Sequence, residues 1–247
     1  MDFRFKPLYK AQKKLRRRVV EGMEAIYYRL NLAKAVLQSK QTLKVQDTKY
    51  GSYLRDQLEE TLRKKRLMGR SAIESFPLID ELVQRCDVKG KSVLCVGCRN
   101  IDEILIFRKL GAGRVVGIDL YSDVPDILVM DMHDLKFADA SFDIVYSRHS
   151  FEHAFDKAKA GREFVRVLRD NGVVAVEVPG KYKGGADYNL FSGIDDVLVA
   201  FQPFVGEALR NDYSRKEDNP HGMDIIQVIF RVDKAKGYSS ARQPATG

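Results

Sequence analysis

The chain has 247 residues and a formal charge of +8, with 45% hydrophobic and 31% charged residues, a balance that builds a packed core and excludes wholesale disorder. No run approaches the roughly 18 consecutive apolar residues of a membrane-spanning helix, and the N-terminus lacks the apolar stretch of a signal peptide. Three cysteines, Cys86, Cys95 and Cys98, make a poor disulfide framework and fit a reducing compartment, so a cytoplasmic protein is expected.

The charge is uneven. Residues 1–70 carry 19 Lys/Arg against 7 Asp/Glu, a net of +12, while the remainder is net −4. Such a segment is either an electrostatic footprint for an anionic partner (RNA, an acidic glycan or a lipid surface) or a solvated helical face; charge alone does not choose. Within it, residues 10–38 read as a helix, because Leu15, Val19, Met23, Ile26, Leu30, Ala33 and Leu37 recur every three or four positions. That stripe suits packing on the protein's own core or on a twin subunit in a homo-oligomer better than a membrane surface. A second basic helix is expected over 52–68, with a junction at 69–77.

From residue 91 the pattern changes to short apolar runs alternating with helical segments. Strands are expected at 92–96, 114–119, 127–130, 142–147 and 173–178, with helices near 102–110 and 156–168. This alternation implies a parallel sheet covered by helices. Runs such as Val93-Leu94-Cys95-Val96 lack polar alternation, as in strands buried on both faces. A Gly-rich connector at 180–193 follows, then a helix over 194–209, strand-like pieces near 207–213 and 225–232, and a loose tail from 237 to 247. The organisation expected is a basic helical extension (1–70), an α/β domain (71–236) and the tail.

The first strand runs into Gly97-Cys98-Arg99-Asn100 and then a helix. A strand-to-helix turn at the carboxyl edge of a parallel sheet is where nucleotide-like ligands bind. Gly97 keeps a side chain out of the way, and the helix that follows offers free N–H groups. Asp119 ends the second strand 22 residues later, a spacing at which an acid accepts hydrogen bonds from both ribose hydroxyls. Asp131, after the third strand, reaches the same edge and can accept from an adenine amino group, with Met132 against the ring; the alternative is an acid that caps the next element.

The ordered set Val-Leu-Cys-Val-Gly-Cys (93–98), Val-Gly-Ile-Asp-Leu (116–120), Met-Asp-Met (130–132), Ser-Phe-Asp-Ile-Val-Tyr-Ser (141–147), Phe-Glu-His-Ala-Phe-Asp (151–156), Arg-Val-Leu-Arg (166–169) and Gly-Val-Val-Ala-Val-Glu-Val-Pro (172–179) resembles class I S-adenosylmethionine-dependent methyltransferases acting on small molecules, lipids and sugars. The resemblance covers roughly residues 78–236. It implies a Rossmann-like, seven-stranded, mostly parallel sheet with helices on both faces and an antiparallel last strand at 225–232. It also implies S-adenosyl-L-methionine as cofactor, held by Gly97, Cys98, Arg99, Asn100, Asp119, Leu120, Asp131, Met132, Ser147 and Arg148, with the segment from Ser147 to His149 lining the methionine end. Two departures stand out: the acid usually found two residues before the first glycine is Cys95, and Arg99 and Ile101 replace the later glycines.

Methyl transfer needs an acceptor aligned with the sulfonium carbon and water excluded. A hydroxyl acceptor also needs a general base, for which His149 is the first candidate, with Glu152, His153 and Glu177 behind it. The 180–193 connector is either a loop whose tyrosines and lysines contact the acceptor or a passive surface loop; the resemblance implies a small-molecule or saccharide acceptor taking the methyl on O or N. Two other readings are an RNA methyltransferase that docks through residues 1–70, though no Asn-Pro-Pro-Tyr motif is present, and a non-catalytic nucleotide-fold module. No metal site is expected. Cys95-Val-Gly-Cys98 lacks two further ligands at zinc spacing, and His149-Ser-Phe-Glu152-His153 sits past a strand instead of on one helical face.

Overall fold

The computed structural model describes residues 37–39, 41, 43, 48–68, 76–98, 100–122, 124–181, 189–219 and 222–240. Most of the expected helix at 10–38, Arg99, the middle of the Gly-rich connector and residues 241–247 lie outside them. Helix α1 is Lys49–Met68 and α2 is Pro77–Val83. Then come β1 (Ser92–Val96), α3 (Asp102–Lys109), β2 (Arg114–Asp119), β3 (Ile127–Val129), β4 (Phe142–Arg148), α4 (Lys157–Val167) and β5 (Leu168–Gly180). The chain closes with α5 (Ile194–Leu198), β6 (Val205–Ser214), β7 (Asp224–Val232) and α6 (Lys234–Ser240).

The seven strands form one sheet in the order β3-β2-β1-β4-β5-β7-β6. Strands β1 to β5 pair in parallel, and β7 lies antiparallel between β5 and β6. The order reverses at β1, so β2 and β4 flank it and leave a crevice at its carboxyl end, the usual ligand position in open α/β sheets. Successive residues along each strand face opposite ways. Leu94, Val96, Val145, Val174 and Val176 meet Phe164, Phe201 and Phe230 on one face. Val93, Cys95, Ile144, Tyr146 and Ala175 meet Leu78, Leu82, Ile104 and Phe107 on the other. The unbroken apolar runs of the inner strands are explained by this two-sided burial.

Two local expectations differ from what is observed. The helix expected over 194–209 stops at Leu198 and passes through a 3-10 turn at Val199–Phe201. Pro203, joined to Gln202 by a cis peptide, lacks the N–H a helix needs, and edge strand β6 takes over from Val205. The tail expected from 237 is helical as far as Ser240. Helix α1 packs on the carboxyl edge of the sheet: Tyr50 and Tyr53 make ring contacts with Phe155 and His133. Among the described residues, no helix is long and apolar enough to cross a membrane.

Candidate functional site

A cavity opens at the carboxyl ends of β1 to β4, beneath α1. Its floor is Val96, Gly97, Ile118, Asp119, Leu120 and the Met130–Met132 segment; its sides are His149, Ser150 and His153; its roof is Tyr53, Gln57, Glu60 and Thr61 of α1. Its empty volume is about 590 Å³, counted out through its open mouth into solvent. It is a narrow slot between α1 and the sheet edge. Asp119 and His149 leave β2 and β4, two strand spacings or about 10 Å apart across the crevice.

Gly97 shapes the turn. Its φ is +78°, in the left-handed region, and an added Cβ would lie 2.2 Å from Ser150 Cβ. The space a side chain would take at 97 belongs to Ser150, whose Oγ donates to the Val96 carbonyl at 2.8 Å. Ser147 Oγ, 2.6 Å away, then donates to Ser150. Asp119 Oδ1 accepts the Tyr121 N–H at 3.3 Å.

Asp131 is more heavily engaged than its expected role requires. Oδ1 accepts the His133 backbone N–H at 2.9 Å and faces His133 Nδ1 at 2.7 Å. Tyr50 of α1 donates its hydroxyl to Oδ2. The Asp156 N–H points at His133 Nε2 (3.2 Å), which makes Nε2 the acceptor and leaves the ring proton on Nδ1, facing the carboxylate. Burial alone would raise the Asp131 pKa, but the His133 and Tyr50 hydrogen bonds outweigh it and hold the carboxyl below its ordinary value. The Tyr50 phenol is pushed well up by burial and by this carboxylate.

Residues 94–176 match the family described as "Methyltransferase domain". The chain is also 32% identical over 84 residues to a glycine/sarcosine/dimethylglycine N-methyltransferase of Actinopolyspora halophila, covering 34% of this chain and 14% of that protein. The chain thus spans only a small part of the curated relative it matches. Two solved structures share the fold. One is a Burkholderia thailandensis 1,6-didemethyltoxoflavin N1-methyltransferase with bound S-adenosylhomocysteine (TM-score 0.58, 16% identity, 74% of this chain and 89% of that one). The other is the [4+2]-cyclase SpnF (TM-score 0.55, 18% identity, 73% and 94%). Residues 94–176 thus match a methyltransferase domain, and the solved structures share the fold of the chain.

The expected cofactor residues divide. Gly97, Asp119, Leu120, Asp131 and Met132 line the cavity, as do His149 and His153. Cys98 is buried and turned away, its thiol donating to Glu103 Oε2 at 3.1 Å. Burial pushes the Cys98 and Cys95 thiols up, which makes them poor nucleophiles and metal ligands. Asn100 is exposed and spends its side-chain oxygen on the Asp102 N–H at the start of α3. Ser147 is fully buried, and Arg148 points at Glu177.

Below His149 lies a buried polar cluster. His149 has φ +50°, and its backbone N–H bonds the Glu177 carbonyl at 2.9 Å. Its Nε2 lies 3.2 Å from Glu177 Oε1, and its Nδ1 lies 3.9 Å from Glu152 Oε1. His153 Nε2 is 4.0 Å from the same Glu152 oxygen. Glu177 is fully buried and takes further bonds from Arg148 Nε (2.8 Å) and Gln227 Nε2 (2.6 Å). Burial would raise its pKa, but these partners, His149 first among them, bring it down to about 2. Glu103 behaves in the opposite way: burial pushes its carboxyl up to about 7 against the lowering effects of Cys98 and Arg148. The residue pattern pointed to Glu177 only as a group behind His149. The α1 residues Tyr50, Tyr53, Gln57, Glu60 and Thr61 escaped it altogether, because a basic helix beyond the family's core motifs carries no signal of where it docks.

Proposed function

We propose that the chain transfers the methyl group of S-adenosylmethionine to an oxygen or nitrogen of a small molecule or saccharide. The observation that carries this reading is the charge of the slot. Among the described residues its lining holds three carboxylates (Glu60, Asp119, Asp131) and no Lys or Arg. A lining of that sign suits a sulfonium and ammonium ligand and disfavours the pyrophosphate of a dinucleotide. Asp119 accepts the ribose hydroxyls, and Met130, Met132, Ile118 and Leu120 supply apolar surface for the adenine. The carboxylate that Cys95 lacks is offset by Glu60, brought in from α1.

The bound cofactor supplies an activated methyl group that leaves a sulfonium. The chain's own residues align the acceptor, exclude water under α1 and accept the acceptor's proton. His149 is the proton acceptor, with Glu152 and His153 beside it to stabilise the charge it gains. The named substrates of the Actinopolyspora relative, glycine and its methylated derivatives, support a small acceptor. The net +12 of residues 1–70 supports docking of an anionic partner through that segment.

Calorimetric titration with S-adenosylmethionine and S-adenosylhomocysteine tests the reading. Wild type binds both. Asp119→Ala, which loses hydrogen bonds to a charged acceptor worth about 2 kcal/mol, binds about thirtyfold more weakly. Absence of binding at millimolar ligand overturns it.

A further inference from the structure

The hydrogen-bond chain behind His149 has a direction that runs from the far side of the sheet into the slot. Arg210 on β6 carries only donors. Its Nε donates to Gln227 Oε1 on β7 at 3.0 Å, while its other nitrogens hold Glu81 Oε2 and Asp212 Oδ2, each at 3.0 Å. With the oxygen of Gln227 committed to Arg210, its amide nitrogen must face the other way. It meets Glu177 Oε2 at 2.6 Å. Glu177 is an ionised carboxylate and only accepts. Its Oε1 takes Arg148 Nε at 2.8 Å and faces His149 Nε2 at 3.2 Å. These contacts require a proton on Nε2, which in the neutral ring leaves the imidazole lone pair on Nδ1.

We infer that Glu177, Gln227 and Arg210 are positioning residues that hold neutral His149 in its Nε2–H tautomer, so that Nδ1 is the nitrogen that takes the acceptor's proton. This rests on the methyl-transfer reading above and deepens it by naming the atom. The proton moves from the acceptor's O–H or N–H to Nδ1, the acceptor's electron pair forms the new bond to the methyl carbon, and the sulfonium leaves as a neutral thioether. The groups facing the imidazole suit the cation so formed. Glu177 lies beneath Nε2, and Glu152 lies 3.9 Å from Nδ1. Arg148 shares Glu177 and tempers its charge, Glu103 on α3 adds a buried carboxyl, and His153 Nε2 lies 4.0 Å from the same Glu152 oxygen. The positive φ of His149, tied by its N–H to the Glu177 carbonyl, fixes the ring's backbone on the same residue that fixes its proton.

The tautomer is readable without substrate or cofactor. Long-range 1H–15N correlation spectra at a pH where the ring is neutral separate the two nitrogens of each of the four histidines, and His149→Gln identifies the signal. Wild type shows Nε2–H. In Glu177→Gln one amide nitrogen must face either Gln227 or Arg148, donor against donor, and the single tautomer is lost. In the double variant Glu177→Gln/Gln227→Glu, the carboxylate at 227 accepts from both Arg210 and the amide at 177, whose oxygen is again turned to Arg148 and His149. The Nε2–H form returns. A wild-type spectrum showing Nδ1–H overturns the inference. So does a Glu177→Gln spectrum unchanged from wild type, or a folded double variant in which Nε2–H does not return. Should Glu177→Gln fail to fold, the wild-type and double-variant spectra decide. The calorimetric test of cofactor binding is separate, so failure of the methyl-transfer reading would show there with the histidine spectrum unaffected.

Discussion

Replacing Gly97 by alanine probes how the turn after β1 is built. At φ +78° the Cβ of an L-residue crowds the backbone, at about 1–2 kcal/mol. The new methyl would start 2.2 Å from Ser150 Cβ and 2.6 Å from its Oγ, so Ser150 must move. Its movement breaks the bonds to the Val96 carbonyl and to Ser147 Oγ, each worth about 1 kcal/mol. The expected loss is about 3–4 kcal/mol, or about 6–16 °C in Tm for a chain of this size, read by scanning calorimetry. Ser150→Gly alone loses the two bonds, about 2 kcal/mol, and also removes the atoms the alanine would meet. The double variant loses those bonds only once, so it falls short of the sum of the single losses by about 2 kcal/mol. Additivity within about 0.5 kcal/mol, or a Gly97→Ala Tm within about 2 °C of wild type, refutes the argument.

Tyr50→Phe removes a bond to an ionised carboxylate, worth about 1.5–3 kcal/mol, from the first turn of α1. Amide exchange there should accelerate by about tenfold to hundredfold, with β1 and β4 unchanged, and equal protection in α1 would show that Tyr50 does not anchor the helix. The pH dependence of stability should carry two signatures of opposite sign. Glu103, with its folded-state pKa raised to about 7, holds its proton more tightly in the folded chain, so its contribution falls as pH rises from the ordinary carboxylate range to about 7 and is level above. Glu103→Gln should flatten that fall in a series of thermal melts; an unchanged slope counts against the buried carboxyl. Glu177, lowered to about 2, stabilises fully above the ordinary carboxylate range and loses that contribution as pH falls toward 2. Glu177→Gln should therefore remove part of the acid limb, and an acid limb identical to wild type would show that the cluster does not hold an ionised Glu177.

What residue order alone determined is the sheet and the edge of it at which the cavity opens. The apolar runs of β1, β2, β4 and β5 need two-sided burial, which only a covered parallel sheet gives them. Gly97 at the end of β1 and Asp119 at the end of β2 then reach one edge by construction, because parallel strands all end on the same side. Where a local signal competed with one unread, the sequence misled: the apolar stretch after Ile194 reads as a long helix until Pro203 and the demands of edge strand β6 are weighed. Only the tertiary structure decided what closes and tunes the site. Tyr50 meets Asp131 across 81 positions of chain, and Gln227 meets Glu177 across 50. Such pairs are chosen by donor and acceptor complementarity in the folded state and leave no periodicity in the sequence. Asp131 shows the difference most clearly: its place at the sheet edge was legible, but its use as the anchor of α1 and the acceptor of the His133 proton depends on a tyrosine from a helix whose docking nothing in the sequence specifies.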